Sequence, residues 1–336
     1  MLTIKKKGAR SPRADKDMIF EKQIVKAYQK RLQKRIDADG WSLYFSPEDF
    51  DGLVCETFAF QNAEGDTLRA YAYYYGEKNT RHPLVFDHGM GCGHRCYMRD
   101  VAYLASRGFT VLTYDHTGCG ASGGAHIRGL SQSLADLDAF LCHLEESETY
   151  GNADFRVVGH SWGAFSTYNI AAFHKTVTHV VPMSGFRCVR AMLKDQLRGL
   201  LRYYIPAVEA AELACNPRHA AVDAYDSISG SGVKLYAVHS IDDPVVSYTT
   251  HFQSLQEQLC EREGTVFLSY HDRAHNPYNT ARAVESLTDF FQKRCERMKK
   301  SATEDEKQQF LSQFDFYRMT EPNVELWDDV CAFLNT

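Results

Sequence analysis

Apolar positions along the chain recur with two different periods. Short runs rich in β-branched and aromatic residues occur at 53–60, 67–75, 84–86, 109–114, 155–158, 177–183, 233–238 and 265–270, and each reads as a strand. The first two flank Asn62-Ala63-Glu64-Gly65-Asp66, turn residues that predict a hairpin. Between the later runs, at about 96–107 and 130–146, apolar residues fall at helical spacing. Strands that alternate with helices predict an α/β architecture, a mostly parallel eight-stranded sheet with helices on both faces.

Two stretches stand outside that alternation. Within residues 1–50, Ile24, Val25, Tyr28, Leu32 and Ile36 fall at helical spacing, which predicts an amphipathic helical arm lying on the body of the protein. Within residues 186–232, Met192, Leu193, Leu197, Leu200, Tyr203 and Val208 look helical and have no strand among them. A crossover between parallel strands needs only about a dozen residues. The surplus predicts a helical cap inserted after the sixth strand, and the core then comprises 51–185 and 233–336. Beyond residue 280 the pattern is helical throughout. A last apolar helix, through Val324, Trp327, Val330 and Phe333, is expected to pack back on the sheet.

Composition narrows the picture. The chain has 336 residues, 44% of them hydrophobic and 24% charged, enough for a large core and unlike a disordered polymer. A formal net charge of −5 supplies no global basic field, so nucleic acid is not an expected partner. Ten scattered cysteines suit reduced thiols better than a disulfide framework. Met1-Leu2-Thr3-Ile4 runs straight into Lys5, Lys6 and Lys7 without the apolar segment of a secretory signal, and no run reaches membrane-span length. The expectation is a cytoplasmic protein with no membrane span.

In an open parallel sheet, ligands meet the carboxyl ends of the strands, and four distinctive loops fall there. After the third strand comes His88-Gly89-Met90-Gly91-Cys92-Gly93. After the fifth comes Gly159-His160-Ser161-Trp162-Gly163, a G-x-S-x-G in which a strand turns sharply into a helix at a serine, the context of a nucleophile elbow. After the seventh comes His239-Ser240-Ile241-Asp242-Asp243-Pro244-Val245-Val246, and after the last His271-Asp272-Arg273-Ala274-His275-Asn276-Pro277.

With Tyr114-Asp115-His116-Thr117-Gly118-Cys119-Gly120-Ala121-Ser122, these loops resemble the α/β-hydrolase superfamily over roughly residues 53–336, in its esterase, lipase or serine aminopeptidase-like branches. The resemblance implies Ser161 as nucleophile, Asp243 as acid and His275 as base, in the family's chain order. Asp243 is favoured over Asp242 because the family's acid sits just before the x-Val-Val segment, here Pro244-Val245-Val246. His271 lies nearer its strand and reads as structural. By the same likeness the Met90 and Trp162 amides form the oxyanion hole, and no cofactor is needed. One departure is Thr117, which occupies the position of an arginine in the family's D-x-R-G-x-G-x-S loop, so whatever that arginine anchors must be held differently.

The implied chemistry is acyl transfer on a carboxylic ester, since a serine hydroxyl needs an imidazole to take its proton and a carboxylate to orient that imidazole. Rival readings are an aminopeptidase or acyl-peptide hydrolase, a thioesterase, and a non-catalytic ligand receptor on the same fold. A peptidase would need an acid for the substrate amine, and Asp195, Glu209 and Glu212 are available. His88, Cys92, His94, Cys96, His116 and Cys119 could suggest zinc, but their spacing matches no common zinc module, and no metal is expected.

Overall fold

The computed structural model describes residues 12–32, 34–36, 45–91, 93–298 and 302–336. Eight strands make one sheet: β1 (Val54–Gln61), β2 (Thr67–Tyr74), β3 (Leu84–Asp87), β4 (Val111–Tyr114), β5 (Phe155–His160), β6 (Val177–Met183), β7 (Lys234–Ser240) and β8 (Thr265–Tyr270). Their spatial order is β1-β2-β4-β3-β5-β6-β7-β8. β1 and β2 pair antiparallel and β2 meets β4 antiparallel; every pairing from β4 through β8 is parallel. The helices are α1 (Pro12–Leu32), α2 (Met98–Ser106), α3 (Gln132–Glu145), α4 (Trp162–Asn169), α5 (Val189–Gln196), α6 (Ile205–Cys215), α7 (Ala224–Ser229), α8 (Ser254–Leu259), α9 (Ala281–Arg297), α10 (Glu304–Leu311), α11 (Phe316–Met319) and α12 (Val324–Leu334).

The central strands read as unbroken apolar runs because both faces of the sheet are covered. Val85, Leu112, Val157 and Val180 point to one core, shared with α3 and α4. Their neighbours Phe86, Val111, Val158 and Val181 point to the other, shared with α2 and α12. Each such side chain contributes roughly 1.5–3 kcal/mol on burial. The final helix does return to the sheet, with Leu326, Trp327, Val330 and Leu334 all buried.

Three features bear on the site. Ile24, Val25 and Tyr28 of α1 pack on the first core, and the Tyr28 hydroxyl donates to Glu212 of α6 at 2.6 Å. Residues 186–232 fold as helices, with α5 against α6 and α6 against α1. Between the last strand and α12 lies a second helical excursion, α9 to α11, with a small core of its own built from Phe290, Phe310, Leu311 and Met319. Its helical character follows from the sequence pattern; its position beside the His275 loop does not.

Candidate active site

β5 runs into α4 through Ser161, whose φ of 55° and ψ of −109° lie where non-glycine residues are strained. The turn is tight enough to exclude side chains on both sides. A Cβ at Gly159 would come within 2.2 Å of Thr167 Oγ1 and 2.5 Å of the Gly163 carbonyl, and one at Gly163 within 2.2 Å of the Asp87 carbonyl. The Ser161 amide donates to Met183 O at 2.9 Å, which ties the elbow to β6. Trp162 is the first residue of α4, where backbone amides lack an intrahelical acceptor, and its buried indole donates to Leu130 O at 2.6 Å.

His275 lies between Ser161 and Asp243. Its Nε2 is 2.8 Å from Ser161 Oγ and its Nδ1 is 2.8 Å from Asp243 Oδ2. A carboxylate only accepts, so Nδ1 carries the proton and Nε2 is left to accept from the serine hydroxyl. Asp243 itself is fixed by amides, its Oδ1 accepting from Val245 at 2.8 Å and Val246 at 3.0 Å. Buried His239 stands 3.3 Å from the Asp243 carboxylate. Burial opposes ionisation of Asp243, but the hydrogen bonds from His239 and His275 outweigh it and hold the carboxyl well below its usual range.

Neighbouring Asp242 does a different job. Its carboxylate accepts from Ser240 Oγ and, at 3.1 Å, from the Ala274 amide, while Ser240 Oγ accepts from the Arg273 amide at 3.1 Å. Ala274 has a φ of 43°. One aspartate therefore orients the His275 ring and the other pins the strained backbone that presents it. His271 is exposed at the strand end.

A second network, not foreseen from sequence, links three of the loops. The Gly89 amide donates to Tyr97 Oη at 3.2 Å, Tyr97 Oη meets His160 Nδ1 at 2.8 Å, and His160 Nε2 meets His275 O at 2.7 Å. The carbonyl can only accept, so His160 carries its proton on Nε2 and takes the Tyr97 proton's hydrogen bond on Nδ1. Burial, reinforced by nearby His275, lowers the His160 pKa to about 3, so the ring is neutral. Gly89 is integral to this arrangement, since a Cβ there would stand 2.7 Å from Tyr97 Oη. Met90, next in the chain, is 39% exposed. His160 and His239 lie within two of the four loops, but nothing in the sequence marked their roles, and Tyr97 lies outside the loops altogether.

The loop after β4 is held from a distance. Arg35, just beyond α1, donates to Gly120 O at 2.5 Å and Gly124 O at 3.0 Å, and Ile36 forms a parallel bridge with Cys119. Thr117 is held by Asp136, which accepts from its hydroxyl at 2.7 Å and its amide at 2.8 Å. Of the histidines that could suggest zinc, His94 bridges Asp115 and Tyr73, each at 2.8 Å, and His116 lies 2.8 Å from Asp87. Cys92 lies outside the described residues.

A cavity of about 520 Å³ opens beside His275. Its described walls come from Ile36 and Phe45, from Cys96, Tyr97, Arg99 and Asp100, from the loops carrying Asp243 and His275, and from α9 and the end of α11; residues 186–232 contribute none of them. The acids available within that helical segment are engaged internally. Glu212 is buried and accepts from Tyr28, Leu130 N and Ser131 N, Asp195 lies 3.1 Å from His251, and Glu209 lies 3.5 Å from Arg190. Among the described residues, no helix is long and apolar enough to cross a membrane.

Residues 78–226 match the family model described as serine aminopeptidase S33. The chain is 28% identical over 134 residues to a proline iminopeptidase of Saccharolobus solfataricus, a match covering 39% of this chain and 42% of that one, less than half the length of the curated relative. By structure it is similar to a Pyrococcus furiosus esterase, with a TM-score of 0.54 at 16% identity over 80% of this chain and 94% of that one. It is also similar to a puromycin hydrolase, with a TM-score of 0.52 at 15% identity over 75% of this chain and 40% of that one.

Proposed function

We propose that this chain, a member of the α/β-hydrolase superfamily, is a serine hydrolase that cleaves a carboxylic ester through an acyl-enzyme on Ser161. The observation that carries the reading is the aligned set Ser161 Oγ, His275 and Asp243, with both intervening contacts at 2.8 Å and the serine held on a strained turn. His275 Nε2 takes the hydroxyl proton as Oγ attacks the carbonyl carbon. The tetrahedral oxyanion is received by the Trp162 amide, in the first turn of α4, and the Met90 amide beside Gly89. The bond to the alcohol oxygen then breaks as His275 returns the proton to it. Water, deprotonated by the same imidazole, releases the acid and restores the serine. Asp243, its carboxylate ionised by its two histidine neighbours, stabilises the imidazolium formed in each half-reaction.

The substrate is a small or medium-sized ester with an apolar acyl or aryl part. Residues 186–232 serve as the cap of this domain, and α1 and residues 34–36 as a brace for it and for the loop after β4. An aminopeptidase is the second reading, favoured by the match to the S33 model and to a proline iminopeptidase. Against it stands the internal engagement of Asp195, Glu209 and Glu212.

A fluorophosphonate probe applied to folded wild type beside Ser161→Ala tests the nucleophile. Labelling that disappears in the variant is expected, and equal labelling of both would refute it. A panel of p-nitrophenyl esters and aminoacyl anilides then separates the two readings by which class is turned over.

A further inference from the structure

We infer that the cavity beside His275 receives the leaving-group half of the substrate, and that this half is an uncharged, apolar group such as a ring or a branched alkyl chain on the alcohol oxygen. The inference rests on the proposed acyl-transfer roles of Ser161, His275 and Asp243.

The first argument is positional. In that chemistry the carbonyl carbon bonds to Ser161 Oγ and its oxygen faces the amides of Met90 and Trp162, whereas the departing oxygen must collect a proton from His275 Nε2 as its bond to carbon breaks. Whatever is attached to the departing oxygen therefore lies on the His275 side. The cavity is walled in part by His275 itself with Ala274 and Asn276, joined by Pro244 and Val245 of the acid's loop. The two loops that carry base and acid thus form one face of the compartment.

The second argument is chemical. The opposite face comes from the α9–α11 excursion, with Val284, Leu287, Phe291 and Met319. The charged groups at the cavity are already occupied by protein. The Arg99 guanidinium donates to Tyr317 O and to Thr320 Oγ1, and lies over the rings of Phe45 and Tyr317. Asp100 accepts from the Trp327 indole at 2.9 Å, and Arg294 is engaged as well. The remaining lining is mostly apolar, with Asn276, Asn279, Thr288 and Thr320 as uncharged polar members, and about 520 Å³ falls within the ~300–1,000 Å³ of small-ligand sites. The excursion has its own small core, so it presents this face as a preformed surface.

Two ester series separate the halves of the substrate: acetates of alcohols of increasing bulk, and methyl esters of acids of increasing length. Leu287→Trp fills the cavity from its inner wall. Thr288→Trp fills it from an exposed position on α9 and tests the same wall should the first variant not fold. The expected result is a fall in kcat/KM of roughly 10- to 200-fold for bulky-alcohol acetates. Methyl esters of every acyl length, and fluorophosphonate labelling of Ser161, should stay within about twofold of wild type. A loss that tracks acyl length, a loss equal in both series, or no loss in a folded variant would overturn the assignment while labelling stays intact. Absence of labelling in wild type would instead remove the acyl-transfer reading, and this inference with it.

Discussion

Replacing Tyr97 by Phe deletes one oxygen atom and should reveal how much the link from the Gly89 amide through the His160 ring to the His275 carbonyl contributes. That hydroxyl accepts from the Gly89 amide at 3.2 Å and donates to His160 Nδ1 at 2.8 Å, with Tyr97 8% and His160 5% exposed. Removing it leaves a buried donor and a buried acceptor without this partner. Each orphaned group costs about 1–3 kcal/mol, which gives a range of roughly 2–6 kcal/mol. The Gly89 bond is the longer and weaker of the two, so the expected loss is near ~3 kcal/mol. Urea unfolding followed by tryptophan fluorescence measures it. Activity should fall as well, because His160 holds the carbonyl of His275 and Gly89 precedes Met90. A displacement of about 1 Å at a reacting group can cost on the order of 100-fold; acting through one intervening ring, Tyr97→Phe should slow fluorophosphonate labelling by about tenfold. An unfolding free energy within about 0.5 kcal/mol of wild type would refute the reasoning, since surface-like positions behave that way.

The acidic pair can be separated by two amides. Asp243→Asn should lower turnover by on the order of 10,000-fold by spoiling the His275 tautomer, while Asp242→Asn should cost about tenfold or less, since it loosens only the Ala274 backbone; equal losses in steady-state assays would contradict the division of labour. Asp100 makes a pH prediction. Burial raises its pKa from 3.8 to about 7, so the folded state binds the extra proton. Its contribution to stability is therefore fully present below pH 3.8 and is lost as pH rises through about 7. Asp100→Asn should show a stability advantage over wild type that grows between pH 4 and pH 8 by at most ~4 kcal/mol, and parallel pH profiles in thermal melts would refute it. Arg35→Ala should destabilise by about 1–2 kcal/mol and raise proteolytic cleavage within residues 118–127, because the Gly120 and Gly124 carbonyls lose this donor; an unchanged cleavage pattern would argue against the brace.

The sheet was legible because burial on both faces leaves a local signature: uninterrupted runs such as Val157-Val158 and Val180-Val181. Gly159, Ser161 and Gly163 were legible as a motif, although only the crowding at Gly159 lies within the turn; at Gly163 it comes from the Asp87 and His88 backbone. What sequence could not reach are contacts between residues far apart along the chain. His160 and His275 are separated by 115 positions, Arg35 and Gly120 by 85, and nothing local marks either pair. Glu212 looked like a free acid on a helix, yet it is buried against backbone amides of Leu130 and Ser131 and the Tyr28 hydroxyl. The pattern beyond residue 280 predicted helix. It carried no information on which surface those helices would cover, so the compartment beside His275 came only with the fold.

The arm also has a consequence for synthesis. Tyr28 emerges from the ribosome 184 residues ahead of Glu212, and Arg35 emerges 85 residues ahead of Gly120. At about 5–20 residues per second, α1 waits roughly 10–40 s for the surface it covers. The arm is thus made well before the surface it covers, and for that interval its apolar stripe of Ile24, Val25 and Tyr28 is open to chaperones and proteases. A sequence change in the arm would consequently be felt first as a lower yield of folded chains, before any altered chemistry.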